Sequence, residues 1–303
     1  MPLRKVAIIG LGLLGGSIGL AVREHLPDVA TTGYDADPDV RSKARALGLA
    51  HTIADDPAEA VRGADLVVLC VPVGAMRAAA QAIAPGLSDS VIISDVGSSK
   101  QRVGKALAEE LPGRHVIPAH PVAGTEQSGP DAGFASLFHQ RWCIVTPPEG
   151  ADAHKVAALV DFWKSLGSTV EVMDAAHHDM VLAVTSHIPH LIAYTMVGVA
   201  DDLRRVTDSE VIRYSAAGFR DFTRIAASDP TMWRDVFLNN KEATLEILGR
   251  FTEELFALQR AIRTGDGDHL HDYFTRTRAI RRGIVEAGQD TDAPDFGRGQ
   301  GRK

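Results

Sequence analysis

Apolar residues along this chain follow two rhythms. Up to about residue 174, short and nearly continuous apolar runs alternate with stretches whose apolar positions recur every three or four residues. The first pattern suits strands covered on both faces and the second suits amphipathic helices. Strands are expected at Val6-Ala7-Ile8-Ile9, 31–34, 66–71, 91–96, 115–119, 142–146 and 169–173, with helices over 16–24, 38–47 and 153–166. Pro118 places the 115–119 strand near an edge or on an irregular stretch, because proline cannot donate to a ladder. From residue 175 the pattern is helical almost to the end. Residues 231–262 read as one long helix or two stacked ones, and Leu248, Phe251, Leu255, Leu258 and Ile262 repeat there at 3-4-3-4 spacing. Such a seam resembles a coiled coil and suits packing against a second chain as readily as packing within this one; a homodimer is predicted. The expected organisation is an α/β Rossmann-like domain over 1–174, an all-α dimerisation domain over 175–287 and a disordered tail over 288–303, rich in Gly, Asp and Arg.

Composition narrows the function classes. The 303 residues are 45% hydrophobic and 23% charged, with a net charge of -7 and a pI near 5.9. That balance argues against a general binder of nucleic acid or anionic membrane, which needs a basic surface, while a local basic pocket could still hold a small anion. Cys70 and Cys143 sit in strand-like runs and read as buried free thiols of a reducing compartment. The segment after Arg4-Lys5 superficially resembles a secretion signal, but its glycine spacing fits a first strand better, so a cytoplasmic location is expected. The most membrane-like window, 181–200, contains His187, Pro189 and His190 and is read as no membrane span.

The glycine spacing carries the first specific chemistry. Val6-Ala7-Ile8-Ile9 runs directly into Gly10-Leu11-Gly12-Leu13-Leu14-Gly15. Gly10 permits the turn out of the strand, Gly12 admits a pyrophosphate, and Gly15 lets the next helix approach the sheet. Leu13 and Leu14 lie where that helix opens, with its amides facing the phosphates. Asp35 ends the second strand, twenty residues beyond Gly15, where a carboxylate can accept the adenosine ribose hydroxyls and repel a 2′-phosphate. NAD is therefore favoured over NADP, with Arg41 the feature that keeps NADP as the alternative. Val71 and Pro72 fall at the carboxyl edge of the sheet, where doubly wound folds bind ligands.

Further candidates follow in chain order. Ser98 and Ser99 lie in Gly97-Ser98-Ser99-Lys100 ahead of a helix, where either could be a helix cap or a ligand group. His120 stands at the end of a strand in His120-Pro121-Val122-Ala123-Gly124-Thr125-Glu126, and its titration range suits proton removal near neutral pH. His187 and His190 are three apart. They could form part of a zinc site, but a firm third ligand is missing, and packing in a core or dimer interface is the plainer reading. Arg220 and Arg224, four apart, share a face if helical and could grip a dicarboxylate or form surface ion pairs.

Taken together and in this order, the Gly10 loop, Gly97-Ser98-Ser99-Lys100, the His120 to Glu126 segment, Ser186-His187-Ile188-Pro189-His190, Gly218 to Arg224 and Asp229-Pro230-Thr231-Met232-Trp233 resemble the prephenate/arogenate (cyclohexadienyl) dehydrogenases of tyrosine biosynthesis. The resemblance covers nearly the whole chain. It implies an NAD domain, a helical dimerisation domain and an active site between them. It also implies that His120 hydrogen-bonds the ring hydroxyl of the substrate, that Ser98 orients that group and that Arg224 binds carboxylate. His190 and Trp233 would line the pocket, Arg220 would contribute across the dimer where relatives have lysine, and Glu126 would belong to an ionic gate. The implied reaction is oxidative decarboxylation of prephenate to 4-hydroxyphenylpyruvate, extending to arogenate and tyrosine. The alternatives are a strict arogenate dehydrogenase, a broader β-hydroxyacid dehydrogenase and a non-catalytic dinucleotide-sensing dimer.

Overall fold

A computed structural model of the chain describes residues 3–125, 127–204 and 217–286. Strands β1 (Lys5–Ile9), β2 (Ala30–Tyr34), β3 (Thr52–Ile53), β4 (Leu66–Leu69), β5 (Ile92–Asp95) and β6 (His115–Val116) form a parallel sheet in the order β3-β2-β1-β4-β5-β6. Val6 pairs with Thr31 on one side and Leu66 on the other, so the order reverses between β1 and β4. That reversal opens the crevice used by ligands of doubly wound folds. Alternate residues of β1 feed two cores. Val6 and Ile8 pack with Ile18, Val22 and Leu66, whereas Ala7 and Ile9 pack with Val67, Ile83 and Leu107. Each such buried Val, Ile or Leu side chain contributes about 1.5–3 kcal/mol.

Helices α1 (Leu13–His25), α2 (Pro38–Leu47), α3 (Pro57–Val61), α4 (Met76–Ile83) and α5 (Gln101–Glu110) connect these strands. Helix α1 opens three positions ahead of the expected residue 16, because Gly16 N already donates to Gly12 O at 2.9 Å. Helix α2 has the expected bounds, set by an Asp37 cap on Asp39 N, Pro38 in the first turn and left-handed Gly48 after the last. The anticipated strand 115–119 is split at Pro118. Its first part is the edge strand β6, and β7 (Ala119–Pro121) belongs to a second sheet with antiparallel β8 (Trp142–Val145) and then β9 (Thr169–Val172), parallel to β8. Helix α6 (Ala153–Ser165) lies between β8 and β9 in sequence.

Beyond β9 the described chain is helical: α7 (Ala175–Leu182), a π turn (Ala183–His187), α8 (Ile188–Arg204), α9 (Ala217–Thr223), a 3₁₀ turn (Arg224–Ala227), α10 (Pro230–Asn239), α11 (Lys241–Thr264) and α12 (Gly267–Glu286). The 231–262 stretch is thus two helices, broken at Asn240, whose backbone leaves helical geometry (φ -111°, ψ 43°) while its side chain is buried. By length and composition the run Ala175–Asp202 could cross a membrane, yet His178, Asp179 and His187 within it are buried and hydrogen-bonded. The chain divides into two compact units, Met1–Ile247 and Leu248–Lys303. Within the second, Phe251, Leu255 and Ile262 of the apolar seam are 36%, 52% and 68% exposed. The tail 288–303 and Glu126 lie outside the described residues.

Candidate active site

The glycine loop is shaped by two close approaches and one opening. Gly10 adopts φ +99°, and a Cβ there would lie 2.5 Å from Cys70 O; a Cβ on Gly15 would lie 1.8 Å from Gly10 O. Both positions exclude larger residues. A Cβ on Gly12 would meet nothing within 4 Å, so this glycine faces open space. Helix α1 has no side-chain cap and no acidic residue in its first turn, leaving the amides at Leu13 and Leu14 to serve an anion. These features fit a dinucleotide pyrophosphate. Val71 borders the loop, its Cγ1 3.1 Å from the Gly10 Cβ position. Pro72 precedes a 3₁₀ turn, Val73–Ala75, rather than standing in the first turn of α4.

Asp35 is held by backbone. Its Oδ2 accepts from Leu11 N at 2.8 Å and its Oδ1 from Asp37 N at 3.0 Å. Each oxygen retains a second acceptor site for a ribose hydroxyl. Arg41 donates to Asp35 O at 2.8 Å, to Ala36 O and to Asp55 Oδ1, and lies over the Tyr34 ring. Hydrogen bonds from Arg45 and Arg41 hold the Asp55 carboxyl below its ordinary range.

The serine loop is anchored from below. Lys100, fully buried, donates through Nζ to Asp95 Oδ2 and, at 2.6 Å, to Ala119 O, while Gly97 N donates to the same Asp95 oxygen at 2.8 Å. Burial pushes Asp95 up and Lys100 down, and their mutual attraction opposes both shifts. Lys100 therefore ties the loop bearing Ser98 to β5 through its ion pair with Asp95 and to the strand bearing His120 through its hydrogen bond to Ala119 O. Neither serine caps α5, contrary to that sequence alternative. Asp179 does so from another element, accepting Lys100 N at 2.7 Å and Gln101 N at 3.0 Å. Ser98 is half-buried, and the buried Ser99 Oγ has no partner.

His120 sits in the middle of β7, opposite Ile144, and is 7% exposed. Its Nδ1 lies 2.8 Å from His178 Nε2, and His178 Nδ1 lies 2.8 Å from Asp179 Oδ1. Burial, reinforced by His178, Lys100 and His187, holds His120 well below the ordinary histidine range. The π turn adds a residue to the helical circuit, a feature frequent at functional sites, and ends at the fully buried His187. Asn240 Nδ2 bridges His187 Nδ1 at 3.0 Å and Asp179 O at 2.8 Å. Burial pulls His187 down to about 4. His190 stacks on Trp233, centroids 3.6 Å apart, and donates from Nδ1 to Ser186 O at 2.8 Å. Burial and then the Arg224 charge lower its pKa.

Arg220 belongs to α9, whereas Arg224 opens the following 3₁₀ turn, so the pair straddles a helix end instead of sharing one helix; both are exposed. Among the described residues no three His, Cys, Asp or Glu side chains gather as a metal set. The structure thus places His120 against His178, and brings His187 and His190 together with Trp233. It adds His178, Asp179, Asn240 and Lys100, which the sequence did not single out as site residues.

Two family models match the chain: "Prephenate dehydrogenase, nucleotide-binding domain" over residues 18–172 and "Prephenate dehydrogenase, dimerization domain" over residues 174–276. The chain belongs to the prephenate dehydrogenase family. Within that family it is 46% identical to the cyclohexadienyl dehydrogenase of Zymomonas mobilis, covering 92% of this chain and 95% of the relative. The prephenate dehydrogenase of Bacillus subtilis is 32% identical over 92% of this chain and 76% of its own length. A crystal structure of prephenate dehydrogenase from A. aeolicus, in complex with hydroxyphenyl propionate and NAD+, superposes with a TM-score of 0.86 at 32% identity, covering 94% of this chain and 99% of that one.

Proposed function

We propose that this chain catalyses the NAD-dependent oxidative decarboxylation of prephenate to 4-hydroxyphenylpyruvate, and of arogenate to tyrosine, in tyrosine biosynthesis. The observation that carries the reading is the buried imidazole of His120, kept neutral by its surroundings and hydrogen-bonded to a second histidine. The family relatives support the same chemistry. NAD, when bound, supplies the hydride acceptor. The open face at Gly12, the uncapped start of α1 and Asp35 would hold it, together with Gly10, Leu13, Leu14, Gly15, Val71 and Pro72. Arg41 is committed to two carbonyls and Asp55, which supports NAD over NADP.

His120 takes the ring-hydroxyl proton as the carbinol C–H leaves as hydride, so the O–H electron pair becomes a C=O bond. Loss of the ring carboxylate as carbon dioxide then sends its C–C electron pair into the ring, and His120 returns the proton to the phenolate oxygen. Prephenate and NAD thereby give 4-hydroxyphenylpyruvate, carbon dioxide and NADH with no proton left over. Ser98 orients the hydroxyl. Arg224 grips the side-chain carboxylate, since clamping the departing one would stabilise the ground state. His190 and Trp233 line the pocket, Arg220 serves the site across the dimer, and Glu126 takes the part of the acid in the ionic gate.

The proposed domain boundary lies near Asp174, and the exposed seam of Phe251, Leu255 and Ile262 supports a homodimer. The buried or half-buried free thiols Cys143 and Cys70 suit a cytoplasmic enzyme, and the acidic balance suits one without nucleic-acid or membrane partners. The test is NADH formation by the purified protein with prephenate or arogenate in parallel. Turnover of either establishes the class, the ratio of the two kcat/KM values fixes the preference, and NAD binding without turnover of either would reduce the chain to a dinucleotide sensor.

A further inference from the structure

We propose that His178 and Asp179 are positioning residues that fix the tautomer of His120, placing its proton on Nδ1 and leaving Nε2 bare as the atom that removes the substrate hydroxyl proton. This rests on the reading of His120 as the base. Each step follows from what the groups can donate. Asp179 Oδ1 and Oδ2 accept the amides of Lys100 and Gln101, and amides only donate, so this carboxylate acts as an acceptor. The proton in its 2.8 Å contact with His178 Nδ1 therefore belongs to His178. Neutral imidazole has one N–H, so His178 Nε2 carries a lone pair. The 2.8 Å contact between that atom and His120 Nδ1 then needs a proton supplied by His120. With its single proton committed there, His120 presents an unprotonated Nε2.

The surroundings keep both rings in the required neutral state. His120 is faced by His178 from α7, Lys100 from the start of α5 and His187 from the π turn, and each of these together with burial disfavours a charge on it. His178 is faced by Asp179, Lys100 and Asp95, and burial outweighs the carboxylates there. The same Asp179 carboxylate holds the N-terminus of α5, just after Ser98 and Lys100. It thus sets both the orientation of the base and the position of the serine loop. This arrangement is the base-and-orienter logic of nucleophilic sites with one further histidine inserted.

The direct test reads ring-nitrogen protonation by ¹⁵N NMR of the full chain labelled in histidine, with the His120 signals assigned by their loss in His120→Asn. Near neutral pH the expected spectrum shows His120 protonated on Nδ1 and bare on Nε2; a proton on Nε2 overturns the proposal. The second arm compares His178→Gln with His178→Leu. Glutamine retains a carbonyl acceptor for His120 Nδ1–H, and leucine does not. We expect kcat for His178→Leu to fall about a hundredfold or more, with His178→Gln retaining at least about ten times the leucine variant's rate. KM and NAD affinity should stay within about threefold in both. Equal losses in kcat for the two variants would overturn the proposal, whereas failure of the wild-type chain to turn over any substrate would remove the proposed reaction while the spectrum still reports the tautomer.

Discussion

Asn240 Nδ2 lies 3.0 Å from His187 Nδ1 and 2.8 Å from Asp179 O. Turning the amide over would set its oxygen against a carbonyl oxygen, so the NH₂ group faces both partners. An NH₂ group only donates, and His187 must accept at Nδ1. Protonating that nitrogen would oppose two donors, which adds to burial in keeping His187 neutral.

A pH dependence of stability follows. The folded His187 titrates at about 4 against an ordinary 6.5. Below pH 6.5 the unfolded chain takes up a proton that the folded chain refuses, so stability is complete above 6.5 and is lost as pH falls towards 4. His178 and His190 shift in the same direction. The His187 contribution alone is on the order of 3 kcal/mol. Denaturant titrations across this window should show a shallower loss in His187→Gln than in the parent chain, and parallel slopes would contradict the assignment.

Gly10 and Gly12 should respond differently to a side chain. Gly12→Val places atoms where the protein has none within 4 Å of the Cβ position. Its melting temperature should stay near that of the parent while the Kd for NAD rises at least about tenfold, the effect of losing one charge-assisted contact. Gly10→Ala combines a left-handed backbone with a 2.5 Å approach to Cys70 O and should lower both stability and binding. Calorimetry with NAD distinguishes the two outcomes.

His120→Asn should lower kcat by about a hundredfold to ten-thousandfold with KM little changed, since the base acts mainly in the transition state. Arg224→Ala should instead raise KM for prephenate about tenfold to hundredfold. Steady-state kinetics on the two variants decide the roles, and the reverse pattern would exchange them. Because His120 is held neutral, the acid limb of kcat/KM for the parent enzyme should lie below pH 6.5.

Features of the fold governed by local sequence were legible from it. Apolar runs located β1, β4 and β5, the helical rhythm located α2, and Pro118 signalled an irregular strand. The glycine spacing identified the loop after β1. The network around His178 and Asp179 was not legible, because it joins that pair to residues 58 to 79 positions away in sequence. Nor do Asn240 and Lys100 carry a local signal. A break in an otherwise helical pattern at Asn240 is visible only once Asp179 and His187 give its amide two acceptors. A buried lysine is recognisable only beside its carboxylate.

The seam in α11 gives a prediction for assembly. If the proposed homodimer pairs through this seam, Leu255→Glu with Ile262→Glu would place two carboxylates of each copy in that apolar contact and should yield a monomer, because unpaired charge is costly there. Sedimentation analysis should show this change with NAD binding preserved; a dimer of unchanged stability would place the interface elsewhere.

Oxidative decarboxylation by this chain is best decided by measuring carbon dioxide and NADH together during turnover of prephenate. The two should form in equal amounts, with 4-hydroxyphenylpyruvate as the aromatic product. NADH without carbon dioxide, or neither despite bound NAD, would contradict it.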